Sequence, residues 1–173
     1  MNNFLRTLTF CVIALLSAVS VKAQGDVTAK WDFKNDLPAG IQETTNYQKT
    51  TVDIPSTVEG VSMHVDATNG KLYCIGRNNA QFNSGTILQV PVKSTRDVVV
   101  VENYPTYQSY TIGGVAATAD VNEHRATTDE VAKGYVEIVA TATVYLYSVQ
   151  VTFVSAVSVK ELYSTDFSTW GAY

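Results

Sequence analysis

A chain of 173 residues, 46% apolar and only 16% charged, can fill one hydrophobic core of ordinary size, and its two cysteines cannot build a disulfide framework or a cysteine metal cluster. Twelve basic residues against 16 acidic ones give a formal net charge of −4, and no stretch gathers Lys and Arg. That balance argues against nucleic acid and anionic membrane as partners.

Arg6 is the only charge ahead of an apolar run from Leu8 to Val19, and Val21-Lys22-Ala23 offers small residues at a cleavage site. Residues 1–23 therefore read as a secretory signal peptide, the run being too short to span a bilayer comfortably. The expectation is a protein that is secreted, or held at the cell surface or in the periplasm, with no membrane attachment after cleavage. Cys11 lies inside the apolar run, so no lipid-anchor motif is visible. Arg6 and Lys22 leave with the leader, so 12 basic residues become 10 against 16 acidic ones. Cys74, in Leu72-Tyr73-Cys74-Ile75, is then alone and reads as a small buried hydrophobe.

In chain order, Val27, Ala29, Trp31 and Phe33 alternate with polar residues and predict a first strand with two aromatics inward. Residues 35–40 form a loop, 41–51 carry no clear pattern, and a short strand near Val52–Ile54 stops at Pro55. Val61, Met63, Val65 and Ala67 alternate up to Asn69-Gly70, a pair suited to a two-residue turn, so residues 71–77 are expected back as the partner strand of a hairpin. A polar tract over 78–85 leads to a strand over 86–92, whose Pro91 marks an edge or an end. The four valines of Asp97–Asn103 predict a strand buried on both faces. Tyr104–Tyr107 is a loop, Ser109–Ile112 a short strand, Gly113-Gly114 a tight turn, and 116–121 a further strand.

Thr127-Thr128-Asp129-Glu130 has capping-box spacing and Gly134 is a terminator, so the residues between them predict one short helix. Gly134 to Val154 then predicts closing strands, in which Tyr145, Tyr147, Val149, Val151 and Phe153 share one face and Tyr145 and Tyr147 join Trp31 in the core. Short strands at this spacing predict an all-β, antiparallel β-sandwich of jelly-roll kind. The module would occupy 24–154, with a linker at 155–161. In 162–173 the pair Asp166-Phe167 repeats Asp32-Phe33, as if a following module began there or a tail were cut short.

The segments WDFKNDLP, STVEGVSMHVDATNGKLY, NNAQFNSGTILQVPV, YTIGGVAATAD and GYVEIVATATVYLYSVQV resemble the N-terminal accessory β-sandwich modules of secreted pectate-lyase-like proteins of gut Bacteroidota. LYSTDFSTW resembles the start of the next module in such proteins. The resemblance implies a carbohydrate-binding-module-like domain attached to a polysaccharide-degrading chain, with adjacent modules and a plant cell-wall or other polysaccharide as partners. It implies no catalytic residue here, since the lyase chemistry of those proteins belongs to a parallel β-helix whose stacked repeats are absent from these residues.

Two sets could be drawn as acid–base sites: His64, Asp66 and Lys71, or Glu123, His124 and Arg125. Both read as solvated strand and loop residues, so no catalytic residue is assigned. A structural calcium is the one candidate cofactor, with Asp26, Asp32, Asp36 and Glu137 as oxygen ligands if the ends of the sandwich meet. Glycan binding rests on rings that stack on sugars and amides that bond hydroxyls. Tyr104 and Tyr107 are the loop aromatics, with Tyr47 in the unpatterned segment, and Asn78, Asn79, Gln81 and Asn83 make the amide cluster, with Arg77 beside them. The alternatives are a structural or adhesive module that binds no sugar and, after it, polysaccharide lyase activity in this chain itself.

Overall fold

The computed structural model describes residues 25–37, 46–68, 73–76 and 78–155. The leader at 1–23, the linker after Ser155, the tail at 162–173, the Asn69-Gly70 turn, Lys71 and Arg77 lie outside the described residues. Asp26–Val154 groups into one compact unit.

Twelve strands and one helix are described: β1 (Val27–Asp32), β2 (Thr51–Pro55), β3 (Ser62–Asp66), β4 (Tyr73–Gly76), β5 (Asn79–Phe82), β6 (Ile87–Pro91), β7 (Val98–Asn103), β8 (Tyr110–Ile112), β9 (Val115–Ala116), β10 (Val121–Arg125), α1 (Thr128–Lys133), β11 (Tyr135–Ala140) and β12 (Val144–Phe153). They form two antiparallel sheets, so the all-β class expected from the periodicity holds. One runs β10-β7-β12-β5-β4 with β1 also on β12, and the other runs β2-β3-β6-β11-β8-β9. Inward residues of both sheets make one core that includes Trp31, Phe33, Phe82, Met63, Leu88, Tyr110 and Ile138. The Trp31 indole N–H donates to the Ile54 carbonyl at 2.7 Å, so the largest core side chain also links the sheets and buries no unpaired donor.

β12 is the long central strand. It pairs with β7 along one side, and with β5 and then β1 along the other. Its alternation is not continuous, because the register against β7 shifts between Leu146 and Ser148. Val144 and Leu146 are buried before the bulge, Val149 and Val151 after it, and Ser148 is buried at the bulge itself. An extra residue flips the phase of a strand. Tyr145 and Tyr147 therefore stand on the outer face and are not core residues, contrary to the sequence expectation. Burying the four apolar side chains is worth at most roughly 1.5–3 kcal/mol each, and the bulge is what lets both halves of β12 collect it.

Other expectations change for related reasons. β3 and β4 are not hairpin partners: β3 pairs with β2 and β6, whereas β4 pairs with β5 in the opposite sheet. Both edges of β3 are therefore occupied, and Tyr73 and Ile75 bury in the core beside Ala80 and Phe82. The polar tract after Arg77 contains a strand, β5, with Ala80 and Phe82 inward and Asn79 and Gln81 outward. β6 lies between β3 and β11, so Pro91 marks a strand end and not an edge. β7 is buried on one face only; Val99 and Val101 are enclosed, while Val98 and Val100 are half-buried. No strand spans 116–121: β9 ends at Ala116 and β10 begins at Val121. β11 and β12 likewise belong to different sheets.

Two local signals hold. Thr127 caps α1 with a full capping box to Glu130, and Gly134 closes it in the left-handed region at φ 87°. Gly113 and Gly114, at φ 56° and 81°, form the two-residue turn that joins β8 to β9. Among the described residues no helix is long and apolar enough to cross a membrane.

Candidate functional site

The bulge of β12 creates the most distinctive surface of the module. On the outer face of its sheet, Tyr145 and Tyr147 meet Tyr104 and Tyr107 from the loop between β7 and β8. Tyr104 lies 5.6 Å from Tyr147 at an interplanar angle of 56°, and 5.7 Å from Tyr107 at 79°. Tyr107 stands edge-on to Tyr145 with centroids 4.7 Å apart. The four rings form a continuous strip, each at a separation and tilt that favours ring–ring attraction. Tyr104 and Tyr107 are 45% and 38% exposed, so the strip presents aromatic surface to solvent.

The loop that carries the two outer rings is held from several sides. The Tyr104 amide donates to the Tyr145 carbonyl at 2.8 Å, and the Tyr107 amide to the Tyr104 carbonyl at 3.0 Å, closing a four-residue turn around Pro105 and Thr106. Thr106 sits at φ 73°, the region that position i+2 of a type II turn requires and that a β-branched residue disfavours. From beneath, the buried Asn103 amide donates to the Tyr104 carbonyl at 2.9 Å. The Asn103 carbonyl oxygen accepts from the Tyr110 hydroxyl at 2.8 Å, and Asn122 donates to that hydroxyl at 2.8 Å. Burial is the main reason that the Tyr110 phenol is pushed up to about 12, opposed by the Asn122 hydrogen bond and helped by the Asp120 charge. It therefore stays a neutral link in this network.

Polar groups border the strip at both ends. At one end the Tyr47 hydroxyl, on a 53% exposed ring, donates to Gln81 Oε1 at 3.2 Å. Gln81 sits opposite Tyr145 in the β5–β12 register and donates to Asn83 Oδ1 at 3.3 Å, which also accepts from the Thr143 hydroxyl. Burial raises the Tyr145 phenol, and the nearby phenols of Tyr107 and Tyr47 add to the effect. At the other end Lys34 places Nζ 4.2 Å from the centre of the Tyr147 ring, a cation–π contact. Asp32 sets that turn, its Oδ1 accepting from the amides of Lys34 at 3.0 Å and Asn35 at 2.9 Å.

Of the residues singled out from sequence, the structure brings Tyr104, Tyr107, Tyr47, Gln81 and Asn83 to this face. Asn79 points outward from the same sheet, and Asn78 is an exposed turn residue at φ 70°. Lys34, Tyr145 and Tyr147 were not anticipated there. The proposed calcium ligands are not assembled. Asp32 is committed to Lys30 at 2.7 Å and to backbone amides, Asp26 lies at the exposed start of the chain's first sheet strand, and Glu137 faces outward on the other sheet. Among the described residues no group of three or more His, Cys, Asp and Glu side chains could hold a metal ion.

The two acid–base sets resolve into pairs. His64 Nδ1 lies 2.6 Å from Asp53 across the β2–β3 ladder, an exposed pair of small energetic value. Asp66 bonds the Thr68 amide and hydroxyl in a local turn. His124 Nε2 lies 2.9 Å from Glu130, not Glu123, and both side chains are largely enclosed beneath Gly113. Arg125 donates to the Arg96 carbonyl. The strip thus offers aromatic faces, phenol hydroxyls, side-chain amides and one ammonium, the functional groups that bind polyols. Comparison of the chain with protein-family models, curated proteins and solved structures finds no match.

Proposed function

We propose that this β-sandwich is a secreted, non-catalytic accessory module that binds glycan through the tyrosine strip, within a polysaccharide-processing protein. The carrying observation is the run of touching rings from Tyr147 through Tyr104 and Tyr107 to Tyr145, with two rings substantially exposed and amides at its edge. Sugars present apolar C–H faces and polar rims, and aromatic faces flanked by amides and hydroxyls complement both. The sequence resemblance to modules of pectate-lyase-like proteins supports the same reading and suggests plant cell-wall polysaccharide as the ligand class.

Affinity electrophoresis of the chain through gels containing pectins, xylan, galactan and glucomannan tests it. At least one polymer should retard the protein, and replacing Tyr104 and Tyr107 together by Ala should weaken retention by about tenfold or more, equivalent to about 1.4 kcal/mol. Unretarded migration in every gel would leave the structural or adhesive alternative.

A further inference from the structure

The strip is not flat, and its shape bears on the form of glycan it can take. Building on the glycan-binding reading, we infer that it accepts a single hydrated glycan chain and does not bind the flat face of a crystalline polysaccharide. A sugar stacks with its ring parallel to the aromatic ring beneath it. Chains packed in a crystal face present their sugar rings in one plane, so a protein that grips such a face needs coplanar aromatics.

Here the two most exposed rings of the strip, Tyr104 and Tyr107, are inclined at 79°, and Tyr107 is inclined at 85° to Tyr145. A plane laid against one of them meets the other edge-on. The inclination is fixed by its supports. Tyr107 abuts Tyr145 at 4.7 Å, Tyr104 abuts Tyr147 at 5.6 Å, and the intervening turn is closed by the Tyr107 amide. Lys34 adds an obstacle, because its ammonium stands 4.2 Å over the Tyr147 ring and is exposed. A flat surface would have to displace that ammonium to reach the ring.

A single chain meets none of these obstacles. Rotation about its glycosidic bonds lets successive sugars turn to face Tyr104 and then Tyr107. Its hydroxyls are also free of neighbouring chains, so they can reach the Tyr47 hydroxyl and the amides of Gln81 and Asn83 at one end and Lys34 at the other. Both exposed rings should then contribute.

The test compares soluble and crystalline ligands on the intact chain. Affinity gels of xylan, glucomannan, galactan and polygalacturonate, with phosphoric-acid-swollen cellulose as a hydrated solid, are set against microcrystalline cellulose and crystalline chitin in depletion assays. Affinity for the best soluble or swollen polymer should exceed that for either crystal by about tenfold or more. Tyr104→Ala and Tyr107→Ala, both on an exposed loop, should each weaken it about fivefold or more. Adsorption to a crystalline powder as tight as to any soluble polymer would overturn the single-chain inference while leaving glycan binding intact. So would an effect confined to one of the two tyrosines. Binding to nothing in either group would remove the glycan reading itself, and this inference with it.

Discussion

Thr106 allows a quantitative test of how the strip is held. It occupies the left-handed region at φ 73°, where an L-residue with a Cβ costs about 1–2 kcal/mol and a β-branched one sits at the upper end. The residue is exposed, and the bond that closes the turn runs between the backbones of Tyr107 and Tyr104. Replacing Thr106 by Asn therefore keeps the turn and removes part of the strain, because Asn tolerates this region. The expected gain is about 0.5–1 kcal/mol. Thr106→Gly relieves more strain but frees the unfolded chain by a comparable amount, so it should gain no more than Asn. Thr106→Val, still β-branched, should gain nothing. In urea, with a slope of about 2 kcal/mol/M, Thr106→Asn moves the midpoint up by about 0.25–0.5 M. A lowered midpoint for Thr106→Asn, or a Val variant as stable as the Asn one, would refute the strain argument.

Three further substitutions probe the β8–β9 turn and the turn that Asp32 sets. A Cβ at Gly113 would fall inside the contact distance of the His124 ring and the Glu130 carboxylate, at φ 56°, so Gly113→Ala should cost roughly 2–4 kcal/mol. Gly114→Ala, at φ 81° with open space around it, should cost only about 1–2 kcal/mol; equal losses in chemical denaturation would contradict the packing described. The carboxyl of Asp32 is pushed up by burial, but the Lys30 ammonium and the amides of Asn35 and Lys34 outweigh this and hold it at about 2 against an ordinary 3.8. A depressed carboxyl stabilises the fold above its unfolded value and loses that contribution as pH falls through the folded one. Asp32→Asn should therefore lower stability by about 2 kcal/mol at neutral pH, and the gap to the parent should close between about pH 4 and 2. A gap that stays constant down to about pH 2.5 would show that charge is not its source.

What was legible in the sequence was whatever is decided locally. The α1 capping box and the Gly113-Gly114 turn need only a few adjacent residues, and both are where the pattern puts them. Tyr104 and Tyr107 could be found because Pro105 marks a loop that must lie at the surface. Partner choice was not local. Asn69-Gly70 invited a hairpin, yet both edges of β3 are taken, by β2 and β6, and β4 pairs with β5 in the other sheet. Tyr145 and Tyr147 escaped for a subtler reason. An unbroken alternation from Tyr145 to Phe153 looks identical with or without a bulge, and only the β7 register reveals that the inward side changes at Ser148. Lys34 had no signal of its own, since its position over Tyr147 depends on a turn set by Asp32.

The central position of β12 also dictates when the fold can be completed. The sheet that bears the tyrosine strip draws on β1 at 27–32, β5 at 79–82 and β7 at 98–103, and all three must register against residues 144–153. Until that last described strand leaves the ribosome, β1 has no partner and β5 has only β4. Such long-range closure makes folding slow and late, and leaves apolar strand edges bare during synthesis. A nascent chain of this design cannot complete that sheet until β12 has emerged, which keeps it threadable up to that point and makes it dependent on protection from aggregation in the meantime.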